Sequence, residues 1–168
     1  GDTLFVNTGS TASQVLRNLS GKKLRVITSN AGAVLDVKAP EIELILTGGL
    51  FRRQSNSLIG GFTHCLLNQV IGSKAIIGVD GFSVHYGLTT PVHEEAEVGR
   101  IMIERTHGPV IVVADHSKMG VVSNFVTSSI DNIHTVITDS GIAEDFKREL
   151  EHHNIRVVIA EEKVTSSE

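Results

Sequence analysis

The feature that most constrains the fold is a series of short aliphatic runs separated by segments long enough for a helix. The runs are rich in Val, Ile and Leu, as the buried strands of parallel sheets are. Between the first two runs, Ala12, Val15, Leu16 and Leu19 repeat at helical spacing. Strands that alternate with helices predict an α/β fold, namely a three-layer, mostly parallel Rossmann-like sheet with helices on both faces. The runs are 3–7, 24–28, 42–47, 74–79, 109–114, 134–138 and 155–160.

The sequence also predicts where the helices lie. Thr11 and Gln14 have the spacing of a capping box for the first helix, and Gly21 is expected at its end. A second helix is expected from Asn30 to just before Pro40, and three more from about 61 to 70, from about 93 and from about 140. The side chains expected on the buried faces of these three are Phe62, Cys65, Leu66 and Val70; Val98, Ile101 and Met102; and Ile142, Phe146 and Leu150. The long connections 48–61 and 116–132 break the alternation and are typical of functional segments.

Length and composition limit the classes of function. A chain of 168 residues, 40% of them hydrophobic, suits one domain, expected at 1–160, with a polar, frayed tail at 161–168. A formal net charge of −4 and the lack of a Lys/Arg run argue against a face that neutralises duplex DNA.

The sequence also bears on the location of the protein. Cys65 is the only cysteine, which excludes an intrachain disulfide and favours a reducing cytoplasm. No apolar run could span a membrane, and a first residue other than Met indicates a fragment of a longer protein.

Small polar, glycine-bearing corners follow the first five predicted strands. They read NTGST (7–11), SNAG (29–32), TGG (47–49), DGF (80–82) and DHSK (115–118). In open α/β sheets, ligands bind beyond the carboxyl ends of the strands, near the switch in strand order. The corners are therefore the candidate binding site.

The first corner has the chemistry of an anion site. Gly9 permits a tight turn, and Ser10 and Thr11 offer hydroxyls and amides at a helix N-terminus. The spacing matches neither the Walker loop nor the dinucleotide fingerprint. An ordinary strand-to-helix turn with a capped helix is the alternative.

Charged residues near the other corners have more than one interpretation each. Asp80 could act as a catalyst, hold a metal or bind a ligand, while Lys118 could neutralise a phosphate or be a solvated loop lysine. Glu94, Glu95 and Glu97 could complement a helix dipole, or one could turn into the pocket as a base or hydroxyl acceptor. The eight histidines show no ligand spacing, so no metal is expected.

Taken in order, the corners resemble a known family. The series NTGST, VITSN, ILTGG, SLIGG, GVDGF, GLTT, EEAEVGR, ADHSK and VITD is similar to the C-terminal sensor domain of DeoR-type bacterial transcriptional repressors, over residues 3–160. The resemblance implies a fold related to ribose-5-phosphate isomerase and glucosamine-6-phosphate deaminase. It also implies a phosphorylated sugar or related metabolite as ligand, no cofactor, self-association, and DNA binding through an N-terminal winged helix-turn-helix absent from this chain.

The resemblance implies a set of ligand-binding residues and no catalytic one. The loop around Gly9 would hold the phosphate, Arg52 or Arg53 would reach an anion, and Lys118 would supply positive charge. Asp80, helped by Glu95 or Glu97, would accept hydrogen bonds from sugar hydroxyls. The full set is Thr8, Gly9, Ser10, Thr11, Gly48, Gly49, Asp80, Gly81, Phe82, Glu95, Glu97 and Lys118.

Two alternatives stay open beside the sensor. Asn7 stands where the family has an aspartate, and TGST resembles the isomerase phosphate loop, so a sugar-phosphate isomerase or amino-sugar-phosphate deaminase is one alternative. The isomerase pattern has a second acid where this chain has Ser83 and Val84, which leaves the catalytic set incomplete. The other alternative is a dimerisation module with a vestigial pocket.

Overall fold

The predicted strands and helices are present, together with shorter strands between them. A computed structural model of the chain describes residues 1–21 and 23–160, so the tail predicted at 161–168 lies outside the described residues. The strands are β1 (Thr3–Val6), β2 (Leu24–Thr28), β3 (Ile42–Leu46), β4 (Leu50–Arg52), β5 (Ser57–Ile59), β6 (Lys74–Gly78), β7 (Gly81–Ser83), β8 (Gly87–Thr90), β9 (Val110–Val113), β10 (Phe125–Ser128), β11 (Thr135–Thr138) and β12 (Arg156–Ile159). The helices are α1 (Ser10–Asn18), α2 (Ala33–Asp36), α3 (Gly61–Asn68), α4 (His93–Glu104) and α5 (Glu144–His152), with 3₁₀ turns at His116–Lys118 and Ile130–Asn132.

The main sheet is parallel throughout and contains each of the aliphatic runs that the sequence predicts as strands. Its order is β12-β11-β9-β6-β1-β2-β3, with Phe5 level with Ile27 on one side and with Ala75 on the other. The strand order reverses direction between β1 and β6, which makes this pair the topological switch point.

Alternate residues of the central strands face opposite helix layers. Phe5 of β1 is fully buried in the cluster that includes residues of α3, α4 and α5. Its neighbours Leu4 and Val6 lie in the second cluster with α1 and α2. Because successive strand side chains point to opposite faces, this division gives the three layers that the sequence predicts. The fold-class prediction is confirmed.

Three helix predictions need correction. Helix α2 has one turn instead of the stretch expected from Asn30 to Pro40; its Asp36 is held by the Arg17 guanidinium at 2.8 Å. Helix α5 begins at Glu144, after a turn at 139–142. On α3, Phe62 is 81% exposed and Cys65 is exposed as well, so the prediction that both are core residues is wrong.

Phe62 and Cys65 are exposed because α3 is rotated about its axis relative to the orientation that the sequence predicts. Thr63, which helical spacing alone does not mark as a core residue, is fully buried because its hydroxyl donates to the Gly48 carbonyl at 2.6 Å. Leu67 is buried one turn later. Together these two residues turn the Phe62 and Cys65 edge of α3 to the surface.

The shorter strands form two small antiparallel sheets. Strands β4 and β5 make a hairpin, and β10, β8 and β7 form the other sheet. The hairpin is tied to the end of β2, since the Leu58 amide donates to the Ser29 carbonyl at 2.7 Å and the Ala31 amide to the Asn56 carbonyl at 3.0 Å. Both small sheets lie beside the carboxyl ends of the strands of the main sheet, and both contribute residues to the lining of the candidate site.

Candidate functional site

The gap between β1 and β6 is bridged by the side chain of Asn7. Its Nδ2 donates to the Gly78 carbonyl at 2.9 Å, and the Gly78 amide donates to its Oδ1 at 2.7 Å. An amide can make both bonds, whereas an ionised aspartate could only accept. Asn7 therefore fixes the floor of the site at the switch point.

The β1–α1 loop opens the N-terminus of α1 towards this floor. Gly9 is the N-cap, with φ 146° and ψ 157°, a conformation that is essentially restricted to glycine. Among the described residues no side chain caps α1, so the predicted capping box from Thr11 to Gln14 is wrong, and the helix begins at Ser10 and ends at Asn18, before Gly21. Without a side-chain acceptor, the first-turn amides can receive an anion.

The hydroxyls of the same loop are available to a ligand. Thr8 Oγ1 lies 3.3 Å from Ser29 Oγ. Within residues 1–21 and 23–160, the Ser10 and Thr11 hydroxyls have no hydrogen-bond partner. Hydroxyls and uncapped amides thus face the same cavity.

Two carboxylates approach the cavity from other elements. Asp80 follows β6, and its Oδ2 accepts a hydrogen bond from the Thr90 hydroxyl at 2.8 Å. Glu95, in the first turn of α4, has a side chain only 19% exposed. Its Oε1 accepts from the Ser57 hydroxyl at 3.0 Å and lies 3.6 Å from Arg52 Nη1. One oxygen of each carboxylate is engaged, and the other has no partner among the described residues.

Lys118 enters from the 3₁₀ turn that follows β9. Asp115 caps this turn by accepting from the Ser117 amide at 2.9 Å and from the Ser117 hydroxyl. These bonds, the hydroxyl bond first, hold the pKa of the Asp115 carboxyl below its usual value, with a smaller contribution from the Lys118 charge. The Lys118 ammonium forms no hydrogen bond or ion pair within the part of the chain that the structure describes.

These groups line one cavity of about 120 Å³. The predicted site residues that line it are Thr8, Gly9, Ser10, Thr11, Asp80, Glu95 and Lys118. The cavity holds two carboxylates, a lysine, a helix N-terminus and hydroxyl groups, so it can bind a ligand that carries an anionic group and several hydroxyls.

Five predicted site residues lie elsewhere. Gly48 and Gly49 line a separate groove against α3. Gly81 and Phe82 are buried in β7, and the Phe82 ring packs edge-on against Phe146 at 6.0 Å. Glu97 points along α4 towards His93, with its Oε1 3.9 Å from Nε2. Of the predicted arginines, Arg52 reaches the site through Glu95, whereas Arg53 is exposed on the hairpin.

Sequence reasoning missed part of the polar wall. The additional polar lining residues are Asn7, Ser29, Ser57, Thr89, Thr90 and Thr127. Asn7 and Ser29 belong to corners that the sequence predicts as binding loops, and the GLTT segment is predicted to be a flexible lip of the pocket. Only the structure shows that side chains of these segments line the cavity. Ser57 and Thr127 lie in the long connections, and only the tertiary fold brings them to the cavity.

None of the described helices is both long and apolar enough to cross a bilayer. In residues 1–21 and 23–160, no group of three or more His, Cys, Asp or Glu side chains has a geometry suited to a metal ion.

The fold and the cavity define a doubly wound α/β domain with its pocket at the topological switch point. A family model described as the DeoR C terminal sensor domain matches residues 1–140. The chain belongs to this family of sensor domains, as the ordered motifs predict.

The curated relatives are transcriptional regulators by name. The chain is 31% identical over 161 residues to the HTH-type transcriptional regulator GolR of Listeria innocua, covering 95% of this chain and 63% of that protein. It is 30% identical over 164 residues to the HTH-type transcriptional repressor GlcR of Bacillus subtilis, covering 96% and 62%. For the HTH-type transcriptional regulator GlpR of Haloferax volcanii, the identity is 28% over 159 residues, covering 94% and 62%. The chain thus spans less than two thirds of the length of these relatives.

Among solved structures, ribose 5-phosphate isomerase A of Methanocaldococcus jannaschii is similar, with a TM-score of 0.48 and 19% identity, over 71% of this chain and 47% of that one.

Proposed function

We propose that this domain binds a phosphorylated sugar or a related polyol phosphate and, as part of a longer regulator, changes the affinity of a helix-turn-helix region for DNA. The observation that carries the proposal is the composition of the switch-point cavity. Uncapped amides, the Ser10 hydroxyl and the Lys118 ammonium suit a phosphate, while the free oxygens of Asp80 and Glu95 suit sugar hydroxyls. We also propose that the parent protein acts in the cytoplasm as a homo-oligomer.

Glu95 offers a route from the pocket to the surface. Its carboxylate binds Ser57 and Arg52, both on the β4–β5 hairpin. A ligand hydroxyl that competes for Glu95 would weaken these contacts and shift the hairpin. The hairpin carries the exposed side chains of Leu50 and Phe51, so its shift would change the surface presented to a neighbouring domain or copy. The ligand can shift the equilibrium only as far as its affinities for the two hairpin arrangements differ.

A thermal-shift panel of sugar phosphates tests the proposal. A ligand at 100 times its Kd stabilises the folded state by about 2.7 kcal/mol, which raises Tm by roughly 5–10 °C for a domain of this size. Ser10→Ala and Lys118→Ala should reduce the shift. Lys38→Ala is the matched control, because Lys38 is exposed and outside the cavity lining. If no sugar phosphate raises Tm, the domain is better described as an association module with an unused pocket.

Catalysis by an isomerase or deaminase is the second candidate, favoured by the fact that Asp80, Glu95 and Lys118 line the same cavity. We propose a role without turnover, because no further acid stands at Ser83 or Val84 beside Asp80, which leaves the catalytic set incomplete. Incubation with ribose 5-phosphate or glucosamine 6-phosphate should give no product. Turnover that disappears in Asp80→Asn would contradict the sensor-only role.

A further inference from the structure

Asp139, outside the ligand cavity, holds the turn that carries Lys118. It lies directly after β11, and its Oδ2 accepts from the His116 amide at 2.8 Å. Its Oδ1 lies 2.7 Å from His116 Nδ1. Main-chain and ring contacts on one carboxylate fix both the position of the turn and the orientation of the imidazole.

The fit around this carboxylate depends on Gly141. The Gly141 amide donates to Asp139 Oδ1 at 2.8 Å. A Cβ at position 141 would lie 2.5 Å from His116 Nδ1, so any larger residue would displace the ring. Gly141 therefore allows the turn after β11 to pack closely against the 3₁₀ turn at His116–Lys118, which follows β9.

The chain is also anchored directly after the 3₁₀ turn that carries Lys118. The Gly120 amide donates to the Phe82 carbonyl at 2.8 Å, and Met119 forms a parallel bridge with Phe82. Phe82 is fully buried in the core. Lys118 thus lies between two fixed points, the Asp139 carboxylate and the buried strand β7.

The charge on Asp139 supports this arrangement. The His116 amide, then the Gly141 amide and the His116 ring, lower the pKa of the Asp139 carboxyl to about 2. The carboxylate is therefore ionised throughout the physiological range and can keep its hydrogen bonds to the turn.

We propose that Asp139 and His116 are positioning residues: they aim the Lys118 ammonium at the anionic group of the ligand and thereby set the affinity for it. This inference rests on the proposed function, since it requires a phosphate in the switch-point cavity. The pair acts through Lys118 and does not itself line that cavity.

A double-mutant cycle on the 168-residue chain tests the inference. Isothermal titration calorimetry measures Kd for inorganic phosphate and for ribose 5-phosphate. Asp139→Asn and His116→Ala should each weaken binding roughly 3- to 10-fold when Lys118 is present and less than about 2-fold in the Lys118→Ala background. Non-additivity of this kind separates positioning from a general loss of stability.

Two further variants sharpen the result. His116→Asn should stay within about 2-fold of the wild type, because its side-chain amide can donate to Asp139 as Nδ1 does. Gly141→Ala should reproduce the His116→Ala loss, because its Cβ would displace the His116 ring although Asp139 and His116 are both unchanged. Equal losses with and without Lys118 would overturn the positioning role alone. A wild-type chain that binds neither probe would instead overturn the proposed function, and the positioning role with it.

Discussion

The loops after β1 and after β3 look alike in the sequence and differ in the fold. Both are short, polar and glycine-bearing, at 7–11 and at 47–49. The first follows a strand paired on both sides at the switch point, whereas the second follows an edge strand. The first lines the cavity beside Lys118, and the second faces the groove against α3.

The difference shows that a loop's ability to reach the site depends on the position of its strand in the sheet. The Gly48 carbonyl is already engaged by the Thr63 hydroxyl, whereas the first-turn amides of α1 have no side-chain acceptor among the described residues. The loop after β3 thus orients α3, and the loop after β1 can receive a ligand.

The largest effect is expected for Gly49→Ala. Gly49 has φ 105°, and a Cβ there would lie 2.5 Å from both the Ile59 carbonyl and the Thr63 hydroxyl. Strain and overpacking should lower the free energy of unfolding by about 3 kcal/mol in urea denaturation, without changing phosphate affinity in the folded fraction. Gly61→Ala is the control, since a Cβ there meets nothing within 4 Å. A loss of affinity in Gly49→Ala would place the β3 loop in the site.

Gly9→Ala should give the reverse pattern. Its φ of 146° is unfavourable for alanine, although a Cβ there would meet nothing within 4 Å. The loop should relax at a cost of about 1–2 kcal/mol and weaken phosphate binding about 10-fold in calorimetry. Gly21→Ala, also at positive φ and outside the cavity, should cost stability without weakening binding. If Gly9→Ala binds like the wild type, the anion site lies elsewhere.

Ser57→Ala tests the hairpin side of the cavity. Without the Ser57 hydroxyl, the Glu95 carboxylate loses a hydrogen bond that it accepts, and the Ser55 hydroxyl loses its partner at 2.8 Å. The expected cost is about 1 kcal/mol of stability, with faster amide exchange over the hairpin than in the wild type. Ser20→Ala is a control at an exposed position. Unchanged exchange over 50–59 would argue against a route from Glu95 to the surface.

The smallest effect is the pH dependence of Asp139. Its pKa in the folded state is about 2, below the ordinary value of 3.8 for an aspartate carboxyl. A carboxyl with a lowered folded-state pKa contributes stability above its unfolded pKa and loses that contribution as pH falls through about 2. Its side chain is about one third exposed, so solvent screens the effect. Asp139→Asn should flatten the stability curve between pH 5 and 2 in thermal denaturation; an unchanged curve would contradict the lowered pKa.

The main sheet could be predicted from the sequence because buried parallel strands have a local signature. The run 24–28 has the observed bounds of β2, and β6 differs from its run by one residue. The short strands of the connections lack this signature, since β4 has only three residues and takes its partner from the hairpin.

The candidate site could be predicted in part. Thr8–Thr11 and Asp80 follow the two strands of the switch point, and Lys118 follows β9, which pairs with β6. Gly48 could not be separated from Gly9, because strand order is not a local property of the sequence. The contributions of Ser57 and Thr127 depend on how the small sheets fold over the cavity.

We propose that the switch-point cavity contains the anion site. A ¹H–¹⁵N correlation spectrum of the 168-residue chain, titrated with inorganic phosphate, the group that the candidate ligands share, can locate the site. We expect saturable shifts at the amides of 8–11, 78–80 and 118, and little change at 47–49 or along α3. Shifts concentrated at 47–49 and α3, or no saturable shift at 8–11, would show that the switch-point cavity is not the anion site.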